Sequence, residues 1–135
     1  MANMWGIALM LFLFAHALVG VLMFAGRPQQ APPSWPRSKS WLFGSTGVSE
    51  AGQRKLAIVL MAIAALLLIG GALGVVGVSA TVSIWPSLVV VGAIVSALTL
   101  VLYFSRWWLG GIAINAGLIV AIIVFNWPTN EALGI

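Results

Sequence analysis

The sequence predicts an all-α fold: four transmembrane helices in an up-down bundle, with an ordered basic loop between the first two. Three observations predict it. First, the 135-residue chain is 62% hydrophobic and 6% charged, with mean hydropathy +1.15, whereas soluble domains carry roughly 25% charged residues. So short a chain has too little interior to hide that much apolar surface from water, and the bilayer becomes its solvent. Second, four apolar runs, at about 5–25, 56–80, 86–104 and 109–125, each approach the ~20 residues that cross a ~30 Å hydrocarbon layer. Third, five of the six Lys and Arg residues (Arg27, Arg37, Lys39, Arg54 and Lys55) fall in the 26–55 loop, and the sixth, Arg106, falls between the third and fourth runs. Four spans put both basic connectors on one side. That asymmetry predicts an N-out, C-out protein with the basic loop cytoplasmic, as a single membrane domain.

The first run lacks a basic leading segment and is longer than the ~7–15 apolar residues of a signal peptide, so it reads as a retained transmembrane helix. Gly26-Arg27-Pro28 ends it, because proline cannot continue a helix. Pro28, Pro32, Pro33 and Pro36 make the next stretch extended. Trp35, Trp41 and Phe43, interleaved with Arg37 and Lys39, suit the headgroup layer. Ser40 to Gly44 predicts a short interfacial turn. Ser49 predicts the N-cap of the second helix, and Glu50 and Arg54 stand at i,i+4 in the favourable order for an exposed pair.

The outer half of the second run places Gly70, Gly74, Gly77 and Thr81 on one face. Small residues four apart allow close helix approach, here to a neighbouring span or to another subunit. Pro86 fits the first position of the third helix. In that helix Gly92, Ser96, Thr99 and Tyr103 form a stripe. The stripe should turn inward as helix-packing contacts, with a pore lining as the alternative. Ser105-Arg106-Trp107-Trp108 predicts an interfacial connector with an anchoring cation and two belt tryptophans. In the fourth run Gly111, Asn115 and Asn126 lie close to one face, and Trp127-Pro128 closes it before a short tail.

Little here can carry chemistry. With no cysteine, disulfides, thiolate catalysis and cysteine-held clusters are excluded. There is no Asp, and Glu50 and Glu131 both lie outside the apolar runs, so paired-carboxylate catalysis within the membrane is excluded. No metal-ligand spacing, phosphate loop or nucleophile with a base is present, and no basic face offers itself to nucleic acid. His16 is the one titratable side chain well inside a span, which makes it the candidate site. It predicts a hydrogen bond to a neighbouring helix, at Asn115 or Ser96. The alternatives are axial ligation of a chlorophyll or haem, quinone contact and proton transfer. A bis-histidine haem within one chain is excluded, since there is no second histidine. Asn115 is costly in lipid unless paired, so it too predicts an interhelical bond.

Ala15 to Gly20 (AHALVG), Ser40 to Gly44 (SWLFG) in a Pro/Trp-rich loop, and the glycine-rich second span resemble a loose group of small four-span bacterial integral membrane proteins of uncharacterised function. The resemblance implies a bacterial inner-membrane location and carries over no site residues. The expected role is a non-catalytic accessory or scaffold subunit of a larger membrane complex, respiratory or photosynthetic. Its partners would be the lipid bilayer and other membrane subunits or further copies of itself. The alternatives are a small oligomeric transporter or channel and a tetrapyrrole-binding subunit through His16.

Overall fold

A computed structural model of the chain describes residues 2–26 and 39–135. It contains α1 (Met4–Ala25), α2 (Glu50–Val75), α3 (Trp85–Leu102), a 3-10 turn (Arg106–Trp108), α4 (Leu109–Ile123) and a short α5 (Asn130–Leu133), with no strand among the described residues. Four of these helices are long and apolar enough to cross a membrane, the fourth counted from Arg106 to Ile123. They suggest a multi-pass membrane protein. Arg27, Arg37, Trp35 and the four loop prolines lie outside the described residues.

Capping explains where the helices start. The Asn3 side chain accepts from the backbone N–H groups of Trp5 and Gly6 and opens α1. Ser49 Oγ accepts from the Gly52 N–H and opens α2, as its position predicts. Pro86 sits in the first turn of α3, where a missing N–H costs nothing. Beginning at Glu50, α2 has 26 residues, about 39 Å at 1.5 Å per residue.

The C-terminal ends need correction. The second apolar run continues to Ala80, but α2 stops at Val75. Gly77, at φ +87°, turns the chain in the left-handed region. Its N–H donates to the Gly74 carbonyl and that of Val78 to the Leu73 carbonyl, the two bonds of a Schellman cap. Gly77 and Thr81 therefore leave the helix, and only Gly70 and Gly74 of that expected face remain on it. Asn126 likewise lies past the end of α4, at φ 47°, and does not share its inner face. Tyr103 is the C-cap of α3 rather than a residue within it.

Each long helix packs on its chain neighbour: α1 on α2, α2 on α3, α3 on α4. The core belongs to the middle pair. Ten residues of α2 and seven of α3 are buried, against four of α1 and Asn115 alone of α4. Glycine sets the α2–α3 approach. A Cβ on Gly71 would stand 2.4 Å from Val89 Cγ2, and one on Gly74 would stand 2.4 Å from Trp85 Cβ and 2.7 Å from the Thr81 carbonyl oxygen. Gly70 has more room, its nearest neighbour being Leu88 Cδ1 at 3.2 Å. The closest pair is thus Gly71 and Gly74, three residues apart, not Gly70 and Gly74.

At one end of the bundle α5 wedges against α1. Asn3 donates through its N–H to the Leu133 carbonyl at 3.0 Å and through Nδ2 to the Ala132 carbonyl at 2.8 Å. Trp85 Nε1 donates to Asn130 Oδ1 at 3.0 Å, and Leu133 is buried in the core. At the other end the residues from 39 to 49 fold back over α2 and α3. Ser40 to Gly44 makes the expected turn, closed by a Gly44 N–H to Ser40 carbonyl bond. Ser40 Oγ and Trp41 Nε1 donate to the carbonyls of Leu102 and Val101, each at 2.7 Å, which satisfies two acceptors that the end of α3 leaves open. Arg54 Nη2 donates to the Gly26 carbonyl at 3.0 Å, a cation at the negative end of α1. Trp107 is exposed as a belt residue should be, but Trp108 is buried, its Nε1 donating to the Tyr103 carbonyl at 2.9 Å.

The glycine contact makes a direct prediction. Gly74→Leu meets backbone as well as side chain, so it should lower bundle stability by about 3 kcal/mol, the upper range of overpacking. Gly110→Ala, where nothing lies within 4 Å of a built Cβ, should be neutral. Reversible unfolding in mixed micelles measures both. Equal stabilities would refute the close α2–α3 approach.

Candidate functional site

Lipid offers no hydrogen bonds, so polar side chains within the spans must find one another. Three of them do. The His16 ring, on α1, stacks on Phe12 with centroids 6.0 Å apart and planes 3° from parallel. Its Nε2 is 3.0 Å from Asn115 Oδ1 on α4, and Asn115 Nδ2 donates to Ser96 Oγ on α3 at 3.0 Å. Asn115 is 0% exposed and Ser96 is buried, while His16 is half-buried. One amide thus ties three helices together. Assigned with its oxygen toward the ring, the amide makes Nε2 the protonated, donating nitrogen. Nδ1 is then an acceptor, and it makes no hydrogen bond among the described residues. Axial ligation of a tetrapyrrole through Nε2 would break the bond to Asn115.

The bond spans the seam between α1 and α4, which otherwise meet sparsely. On one side of it Leu13, Val89, Leu118 and Ile122 close the seam to a void of about 30 Å³. On the other side the seam opens into a cleft of about 280 Å³, walled by Gly20, Met23, Met61, Leu100, Trp108 and Gly111, with His16 and Ser96 as its polar residues.

The remaining expected residues lie elsewhere. Within the α3 stripe only Ser96 reaches the site. Thr99, fully buried, donates to the Val95 carbonyl of its own helix at 2.8 Å, and the Tyr103 hydroxyl donates to the Gln53 carbonyl. Gly92 faces α2, where a Cβ would come within 3.2 Å of the Ala64 carbonyl oxygen. Gly70, Gly74 and Gly77 serve the α2–α3 contact and its cap. Lys39 pairs with Glu50 at 3.8 Å with both side chains exposed, Lys55 is exposed, and Arg106 lies over the Trp107 ring at 5.8 Å. Arg27 and Arg37 are outside the described residues. Among the described residues no three His, Cys, Asp or Glu side chains gather as metal ligands do.

A second polar cluster is not evident from the sequence. Gln53 is buried at the start of α2. Its Oε1 accepts from the Ser40 N–H at 2.8 Å and its Nε2 donates to the Val48 carbonyl at 2.9 Å. Gln53 thereby pins the 39–49 segment to the helix it precedes. The only hint was a lone amide in the first turn of a span. Asn3 is the more legible omission, since an asparagine just before an apolar run is a standard start signal.

Comparison with protein families, with curated proteins and with solved structures finds no match to this chain.

Removing the amide tests the site. Asn115→Leu leaves His16 facing the cleft and lets Ser96 bond back to its own helix. The loss should therefore be about 1 kcal/mol, the scale of interhelical bonds in membranes, and not the ~4 kcal/mol or more of an abandoned polar group in hydrocarbon. Unfolding of purified protein in bicelles measures it, and a stability gain would contradict the bonding scheme.

Proposed function

We propose that the chain is a non-catalytic accessory or scaffold subunit of a larger assembly in a bacterial inner membrane, with its partner helix docked on α4. The observation that carries this reading is the outer face of α4. That helix buries only Asn115. On the face turned away from Asn115, Gly110, Ala113 and Gly117 are exposed, and nothing lies within 4 Å of a Cβ built on either glycine. Small residues at i, i+3 and i+7 make a flat helix face, and in lipid such faces support close helix–helix packing. The scarcity of ionisable groups within the spans favours an assembly role over transport. The hydroxyls of Thr99 and Tyr103, which a pore lining would need, are already bonded to backbone.

The helices form an up-down bundle in this reading, oriented N-out and C-out. The six Lys and Arg residues of the two basic connectors would face the cytoplasm.

Two experiments test the proposal. Extracted in mild detergent, the wild-type chain should migrate in a native gel with a second membrane protein or further copies of itself. Gly117→Leu should release it while leaving its own unfolding unchanged. A wild-type chain that runs alone, or a Gly117→Leu chain that keeps its partners, would overturn the docking. For orientation, the absence of native cysteine allows single-cysteine labelling of intact cells. Ser45→Cys should be shielded from an impermeant thiol reagent and Ser79→Cys labelled. The reverse pattern would invert the topology.

A further inference from the structure

The cleft beside His16 has the build of a small-molecule site. Its volume, about 280 Å³, lies at the small end of the ~300–1,000 Å³ typical of ligand pockets, enough for one substituted ring. Its walls are apolar side chains and glycines from all four long helices and the 3-10 turn, with Trp107 and Trp108 at the end nearest Arg106. At the opposite, deeper end stands His16. Its Nε2 is spent on Asn115, leaving Nδ1 without a hydrogen bond among the described residues. An acceptor within a span and without a donor is a cost that a ligand can remove. An ion finds no solvation among these walls, and a lipid acyl chain has no donor to offer.

We propose that this cleft binds a membrane-dissolved molecule whose ring carries a hydroxyl, the ring lying against the apolar walls and the hydroxyl donating to Nδ1 of His16. The Asn115 amide acts here as a positioning group. By accepting from Nε2 it holds the ring in the tautomer whose Nδ1 is an acceptor. The site therefore distinguishes ligands by their donor. A hydroxylated ring, of the kind a quinol carries, is preferred to the same ring bearing only acceptors. The preference does not depend on the docking of α4: of the small residues on that face Gly110 alone borders the cleft, and Ala113 and Gly117 do not.

The test uses the purified protein in nanodiscs and two ring-matched probes, tetramethylphenol and its methyl ether, titrated by calorimetry. The phenol should bind about tenfold more tightly than the ether, the weight of one well-made hydrogen bond. His16→Phe, which keeps an aromatic ring beside Phe12, should abolish that preference. Gly20→Leu should remove binding of both probes. A Cβ at Gly20 meets only Met61 Sδ at 3.5 Å, so its larger side chain fills the cleft without disturbing the His16 bond. Equal binding of phenol and ether to the wild-type protein would mean a slot for lipid chains and would overturn the proposal. Unchanged binding to Gly20→Leu would place the probes elsewhere and overturn it as well.

Discussion

The Asn115 amide is the interaction that joins the two outer helices, α1 and α4. α2 and α3 hold each other through a broad apolar contact set by glycines. α4 packs on α3, with Gly111 close against Leu100, but buries only Asn115. In water that would be a poor arrangement, because the apolar flanks of α4 would drive their own burial. In lipid the flanks are already solvated, and what remains to be satisfied is the amide. Its oxygen faces His16 and its nitrogen faces Ser96, so α1, α3 and α4 are joined at one level. Packing alone would leave the angle between α1 and α4 loosely specified.

The same constraint governs the two ends. Helix termini expose carbonyl groups that lipid cannot solvate. Here side chains and neighbouring segments take them up: Trp41 and Ser40 at the end of α3, Arg54 at the end of α1, and Gly77 in its Schellman cap at the end of α2. Trp85 and Trp108 are used in a similar way. Each is buried with its indole N–H bonded inside the protein, to Asn130 Oδ1 and to the Tyr103 carbonyl respectively. The result is a protein with firm ends and a firm central pair, and an open seam where α1 and α4 fail to close on the side of Gly20 and Gly111.

The four long helices were legible because apolar runs of their length have few other uses. Ser49 and Pro86 were legible from start signals. The His16–Asn115 bond was legible for a different reason: with so few polar groups in the spans, each has few possible partners. Where the reading failed, the sequence was locally degenerate. Gly70 and Gly71 are adjacent, and only the rotation of α2 decides which one meets α3. Trp107 and Trp108 are identical side chains one position apart, one exposed and one buried. The stop of α2 at Val75 was hidden because the turn that follows, Val76 to Ile84, is itself largely apolar, so hydropathy runs on where the backbone does not. The four residues of α5 are too few to show a helical period.

A double-mutant cycle between His16→Phe and Asn115→Leu, read from reversible unfolding in a bilayer, tests the central claim most directly. If the amide joins α1 to α4, the two changes are non-additive, with a coupling of about 0.5–1.5 kcal/mol, the range of interhelical hydrogen bonds in membranes. Additive losses, with no coupling, would mean that the two side chains do not meet and that the seam is held by something else.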